Sequence, residues 1–393
     1  MDFTNLKNCM DMFLERDHVP GLHCKVYKGH KEIFDYYAGA SDREAGKPMQ
    51  GNEIYRIYSM TKMITCISAL QLMEKNKFLL NDQVSMYFPE FEKMKITETE
   101  CGGNELETIA TGGGKATFTV TESEHYAKTP LTIRHLFTMS SGLDYNKKTP
   151  AILKAISEGR TSTSEIAREF SKTVLGFEPG TRYRYCLGLD VLGALIELWS
   201  GMTLGEYMDK NIFTPLGMKD TFFGLPESGE RKERLATLYK KGEDGLPERT
   251  DFALPGITEG YESGSGGLCS CAEDYITFLD ALACGGVGKN GKRIISQASI
   301  ELMKTDHTAG MDTSMLTKSM PGYGFGLGIR THIDKTQSGA LSPLGEFGWD
   351  GSGGGFSLVD TENELSLVYF QHYSGWQRRT RYEMTNALYS CID

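Results

Sequence analysis

Between Ser59 and Met73 the chain carries Met60, Met63, Ile64, Cys66, Ile67, Ala69, Leu70, Leu72 and Met73. At 3.6 residues per turn these side chains point nearly all round a helix, and a helix without a polar face has to be enclosed by other elements. Whatever fold the chain adopts is built around that segment. Lys62 lies in its first turn, three residues after Ser59 and on the same face. Burying an ammonium there is costly unless a partner or a chemical task retains it.

The flanking sequence supplies the enclosing layers. Residues 5–17 repeat apolar side chains at helical spacing and are stopped by Val19-Pro20-Gly21. Residues 22–27 and 32–37 are rich in strand formers and flank Lys28-Gly29-His30-Lys31, which predicts a hairpin. Residues 81–91 read as an extended, Pro-containing segment. Helices are predicted over 131–139, 163–174, 189–196 and 203–212. Beyond Gly264 come an amphipathic helix at 273–283 and an alternating stretch at 323–332. A second hairpin follows, 356–359 with 365–371 turning at Asp360 to Asn363, and then a closing helix at 379–391.

This order predicts an α/β (α+β) fold in which the two hairpins share one antiparallel sheet, with the terminal helices on one face and a mainly helical region inserted. Residues 1–58 and 257–393 are expected to form the sheet domain and 59–256 the helical domain. Within the latter, residues 95–128 carry Gly102-Gly103 and Gly112-Gly113-Gly114 and are taken as an excursion from the main body. The sequence Gly114-Lys115 invites a phosphate-loop reading, which fails because Ile109 and Ala116 stand where Gly and Ser or Thr are needed.

A formal net charge of -10 excludes a nucleic-acid partner, which has to be met by a basic surface. No apolar run reaches membrane-spanning length, and residues 1–15 have neither a basic nor an apolar leader segment, so a cytoplasmic protein with no membrane partner is expected. Nine cysteines include no C-x-x-C pair, and Cys269-x-Cys271 is a poor zinc clamp. Reduced thiols, no metal and no cofactor are expected.

Chemistry enters with Ser59-x-x-Lys62. Taken alone the pair reads equally as a capping serine and a snorkelling lysine. Its context favours more: a strand-like stretch from Ile54 to Tyr58 leads into an apolar helix, with the serine at the end where the helix dipole favours developing negative charge. Serine attacks only after losing its proton to a base, and a lysine can be that base when burial lowers its pKa. No histidine or carboxylate lies at helical spacing from Ser59, and no G-x-S-x-G occurs in the chain, which sets aside the α/β-hydrolase alternative.

Several stretches together carry a family resemblance: Val19-Pro20-Gly21; Ser59-Met60-Thr61-Lys62; Leu131-Thr132-Ile133-Arg134-His135-Leu136 with Ser141-Gly142-Leu143; Pro179-Gly180-Thr181; Tyr185 with Asp190-Val191-Leu192-Gly193; Pro215-Leu216-Gly217-Met218; Gly266-Gly267-Leu268 with Ala272-Glu273-Asp274-Tyr275. In these motifs and their order the chain resembles the serine β-lactamase and penicillin-binding-protein superfamily, in its class C-like branch with the family VIII carboxylesterases and D-stereospecific peptidases. The resemblance runs from about residue 19 to 371 and leaves out 95–128. It implies a β-lactamase/transpeptidase-like fold, Ser59 as the acylated nucleophile, Lys62 as its base, and Tyr185 as a phenolate partner whose pKa the nearby ammonium would have to lower. It also implies an oxyanion hole made by the backbone N–H groups of Ser59 and Ser352. The third motif is Trp349-Asp350-Gly351, followed by Ser352-Gly353-Gly354-Gly355.

Two departures bear on substrate. Leu187 stands where the Y-x-N motif has asparagine, and Trp349 where K-T-G has lysine. Those groups bind amide and carboxylate in β-lactamases and DD-peptidases. Their absence, with Trp349 as an apolar wall as in the W-x-G of family VIII esterases, implies a small neutral ester met by Trp349, Asp350, Gly351 and Leu187. Met139, where relatives often have histidine, carries no mechanistic weight. The expected activity is a carboxylesterase working through an acyl-enzyme. The alternatives are a D-amino-acid peptidase, DD-carboxypeptidase or weak β-lactamase on an amide, and a non-catalytic binding protein of the same fold. The oligomeric state is not legible.

Overall fold

The first hairpin alternates along its length, and that alternation assigns its two faces. Leu22, Cys24 and Val26 share one face of strand Gly21–Lys28 and are buried with Phe356, Leu358, Leu367 and Tyr369. His23, Lys25 and Tyr27 point the other way. Strand Gly21–Lys28 pairs antiparallel with Lys31–Asp42 on one side and with Leu365–Phe370 on the other. Phe370 faces His23, and Leu365 faces Lys28. The two hairpins therefore share one sheet, as expected, in the order 323–325, 330–332, 347–348, 355–360, 365–370, 21–28, 31–42, 47–48. The protein is seen in a computed structural model that describes residues 1–97, 99–101, 118–120, 125–250, 259–374 and 378–392.

Among the described residues five helices reach twelve residues or more: α1 (Thr4–Arg16), α2 (Thr61–Glu74), α3 (Gly188–Ser200), α4 (Ala272–Ala283) and α5 (Arg378–Tyr389). The terminal helices α1 and α5 cover one face of the sheet, where Leu6, Met10, Phe13, Met384 and Leu388 join the hairpin side chains. Helix α4 covers the other face against strands 21–28, 355–360 and 365–370. The sequence predicts α4 as amphipathic, yet it is buried without interruption from Asp274 to Ala283. Its second side is closed by the start of α2, where the Tyr275 hydroxyl donates to the Met60 carbonyl at 2.9 Å.

Helix α2 has the central place its composition requires: every residue from Thr61 to Leu72 is buried. It packs on α3, and around the pair lie the short helices Ile133–Phe137, Pro150–Ser157, Thr163–Glu169 and Leu204–Met208. Residues 81–91 are not simply extended, since single tight helical turns at Val84–Met86 and Pro89–Phe91 tuck Val84, Phe88 and Phe91 inward. The alternating stretch at 323–332 is two strands, Tyr323–Phe325 and Arg330–His332, because Gly328 turns the chain at φ 79°. The predicted excursion leaves and returns as a ladder, 95–96 pairing with 125–126 and 99–101 with 118–120; residues 102–117 lie outside the described residues.

A second, three-stranded sheet sets up the site. Strand Leu268–Cys271 is flanked by Ile54–Arg56 and Phe222–Phe223, all antiparallel. Strand Ile54–Arg56 runs into α2 through a single turn, Tyr58–Met60.

Candidate active site

The turn between strand and helix is a strained one. Tyr58 has φ 44°, the left-handed region that a bulky side chain avoids at a cost on the order of 1–2 kcal/mol. Its ring is buried, and residue 353 must be glycine to pass it, since a Cβ there would come within 2.9 Å of the ring. The kink leaves Ser59 half-buried at the N-terminal end of α2, while Lys62, one turn on, is wholly buried.

Lys62 Nζ lies 3.3 Å from Ser59 Oγ and donates to the Ser265 carbonyl at 2.6 Å. It also lies over two rings, 4.6 Å from the centre of Tyr185 and 5.8 Å from that of Tyr145. Burial lowers its pKa from 10.5 to about 7, against the upward pull of the Asp190 carboxylate. A substantial fraction is then free amine at neutral pH, able to accept the serine proton.

Tyr185 closes the third side. Its hydroxyl donates to Ser59 Oγ at 2.7 Å and accepts the Trp349 indole N–H at 3.4 Å. Its ring stacks on Tyr145, centres 5.5 Å apart and planes 8° from parallel. The phenolate implied by the resemblance is not what these surroundings favour. Burial pushes the Tyr185 hydroxyl above its ordinary range, and the bonds to Ser59 and Trp349 offset only part of that. Lys62, itself driven towards neutrality, supplies little countercharge. The Tyr185 hydroxyl thus keeps its proton in these surroundings and donates it to the Ser59 Oγ hydrogen bond.

The short strand Asp350–Gly351 lies beside the turn that carries the nucleophile. Asp350–Gly351 pairs with 355–360 and lies against the Tyr58–Met60 turn, so close that a Cβ on Gly351 would come within 2.5 Å of the Ile57 carbonyl. Ser352 is half-buried in the turn that Gly354 N–H closes onto Gly351 O at 2.9 Å. Trp349 is 5% exposed, stacked on Tyr185 and set edge-on to Phe325. Asp350 points its carboxylate to the opposite face, as strand alternation requires. There Arg330 donates to it at 2.9 Å and Arg381 meets the second oxygen, so the carboxylate ties the strand to two guanidinium groups. Leu187 is buried at the start of α3 and offers no donor where Y-x-N has an amide.

Sequence reasoning missed Tyr145, the Ser265 carbonyl and the Arg330–Asp350–Arg381 bridge. Tyr145 follows Ser141-Gly142-Leu143 with no spacing that marks it. Ser265 acts through its main chain, which leaves no residue-type signal. Asp190 was legible as part of Asp190-Val191-Leu192-Gly193, though without a role. Cys9, Cys24, Cys66, Cys186, Cys269, Cys271, Cys284 and Cys391 are free thiols.

The sequence profile of the Beta-lactamase family matches residues 6–389. Protein Rv1367c of Mycobacterium tuberculosis (strain ATCC 25618 / H37Rv) is 28% identical over 90% of this chain and 86% of its own length. Esterase EstB of Burkholderia gladioli is 27% identical over 98% of this chain and 95% of its own. Among solved structures, EstCE1, a hydrolase with promiscuous acyltransferase activity, superposes with a TM-score of 0.76 at 24% identity, covering 98% of this chain and 97% of that one.

Proposed function

This chain belongs to the Beta-lactamase family, and on that footing we propose that it is a serine hydrolase, a carboxylesterase that acts on small neutral esters through an acyl-enzyme on Ser59. The observation that carries the reading is the cluster of Ser59 Oγ with Lys62 Nζ at 3.3 Å and the Tyr185 hydroxyl at 2.7 Å, with Lys62 held near neutrality by burial. Lys62 accepts the Ser59 proton as Oγ attacks the ester carbonyl. The N–H groups of Ser59 and Ser352 take the oxyanion, donors of a kind worth roughly 3 kcal/mol each. Collapse expels the alcohol, which receives its proton from the Lys62 ammonium by way of the Tyr185 hydroxyl. Water attacks the acyl-enzyme in the reverse sense, giving its proton back along the same path and restoring Ser59.

Trp349 in place of the K-T-G lysine supports a neutral substrate, because no cation stands at that position to receive a carboxylate. The likeness to Esterase EstB over nearly the full length of both chains supports ester chemistry. Among the described residues no helix is long and apolar enough to cross a membrane, which accords with a cytoplasmic enzyme acting on small molecules.

Turnover of a p-nitrophenyl ester, a chromogenic cephalosporin and a D-alanyl peptide, read beside intact mass after incubation with each, tests the proposal. Rapid ester turnover and an acyl adduct on Ser59 are expected, with little cephalosporin or peptide cleavage. Full esterase activity in Ser59→Ala would overturn it.

A further inference from the structure

Asp190 is fully buried in the first turn of α3, and the mechanism above gives it no task. Its Oδ1 accepts two hydrogen bonds, from the Tyr261 hydroxyl and from Ser263 Oγ, both at 2.7 Å. Its Oδ2 is buried and accepts none from the described residues. A carboxylate with an unsatisfied oxygen in the interior is expensive, so its retention needs a reason. Replacement by a neutral, well-packed residue would be the cheaper solution for stability alone.

The reason lies in what the two donors belong to. Tyr261 and Ser263 begin the segment whose Ser265 carbonyl receives Lys62 Nζ at 2.6 Å. The same segment is fastened to α2 by Thr65, whose hydroxyl donates to the Gly264 carbonyl at 2.8 Å. It is pressed onto α3 so tightly that a Cβ on Gly264 would come within 2.5 Å of the Leu189 carbonyl. One buried carboxylate thus grips the backbone that holds the base. Because it is buried, its charge also acts on Lys62 through a poorly screened medium.

We propose that Asp190 is a positioning residue of this reaction: through Tyr261 and Ser263 it fixes the Ser265 carbonyl that aims Lys62 Nζ at Ser59. The inference rests on the Ser59–Lys62 reading of the site. The other ionisable groups acting on Lys62 come from every element around it: Cys66 on α2, Tyr185 and Cys186 before α3, and Tyr145 and Lys147 on the loop that follows Leu143. Among the described residues Asp190 is the one carboxylate whose charge raises the pKa of Lys62.

The test compares Asp190→Asn and Asp190→Ala with the parent protein in pH profiles of kcat/KM on a p-nitrophenyl ester, alongside intact mass after a fluorophosphonate and thermal unfolding. Asn keeps an acceptor for Tyr261 and Ser263 but removes the charge. Its acid limb should move down by about one pH unit, since a neighbouring charge is worth that much or more, with a lower plateau from the weaker base. Ala releases the segment as well, and its plateau kcat should fall about a hundredfold with KM within twofold, as misplacement of a catalytic group by about 1 Å does. The double variant Tyr261→Phe/Ser263→Ala leaves Asp190 in place but releases the segment that carries the Ser265 carbonyl, and should lower kcat. Superimposable profiles for Asp190→Asn and the parent, with kcat of the double variant within twofold of the parent, would overturn the proposal while the phosphonate adduct on Ser59 still stood. A parent protein with no adduct on Ser59 would overturn the reading of the site, and this inference with it.

Discussion

Lys62→Met should make the protein more stable as it abolishes activity, and the gain should depend on pH in a calculable way. Lys62 has its pKa lowered from 10.5 to about 7 by burial. Between those values the unfolded chain binds a proton that the native state does not, so stability rises with pH across that window. Below about pH 7 both states hold the proton and the penalty is constant. At pH 7 the cost is about 4 kcal/mol, from 1.36 kcal/mol per unit over the shift less the part already relieved by native-state deprotonation. At pH 9 it has fallen to about 2 kcal/mol. Methionine fills a similar volume without a charge, at the loss of the hydrogen bond to the Ser265 carbonyl, worth about 1 kcal/mol. Urea unfolding of the parent and Lys62→Met at pH 7 and pH 9 reads the difference directly. The parent should gain about 2 kcal/mol on the variant between the two values. Burial lifts the thiols of Cys24, Cys66, Cys186, Cys269 and Cys271, so towards pH 9 they ionise first in the unfolded chain, but they weaken parent and variant alike and cancel in the comparison. Parallel stabilities at both pH values would show that Lys62 is charged in the native state and would refute its role as the base.

Three further outcomes are expected. The kcat/KM of the parent on a neutral ester should rise with pH through a midpoint of about 7, where Lys62 loses its proton; a flat profile from pH 5 to 8 would contradict that. Tyr185→Phe removes the 2.7 Å donor to Ser59 and should lower kcat about a hundredfold or more, with the Ser59 phosphonate adduct forming slowly rather than not at all, measured by mass against time. Asp350→Ala leaves the guanidinium groups of Arg330 and Arg381, which are 0% and 4% exposed, without their shared carboxylate. Unfolding should show a loss of about 3–5 kcal/mol, whereas a loss of activity at unchanged stability would return Asp350 to the substrate.

The reach of the sequence can be judged from particular residues. Ser59 and Lys62 were legible because helical spacing ties them together within four residues, and the apolar run to Met73 required enclosure by the rest of the fold. The hairpins at 21–42 and 355–370 were legible because alternation and turn residues are local, and both appear with their turns where the sequence places them. Tyr185 needed the family resemblance, since an aromatic residue ahead of a helix is ordinary core. The Arg330 and Arg381 partners of Asp350 were not legible because a strand's period of two sends neighbouring side chains to opposite faces, and which face meets the site depends on the partner strand.

What the sequence determined by itself is a central apolar helix with a serine and a lysine on one face, two hairpins able to join in one sheet, and a set of motifs that identifies the family. Only the tertiary structure decided the protonation chemistry. The pKa of Lys62 is set by how completely α2 is enclosed, that of Tyr185 by the rings stacked upon it, and the aim of Lys62 by a main-chain carbonyl two hundred residues away in the chain. Desolvation and main-chain hydrogen bonds belong to the packed environment rather than to residue type, and a sequence pattern records only the latter.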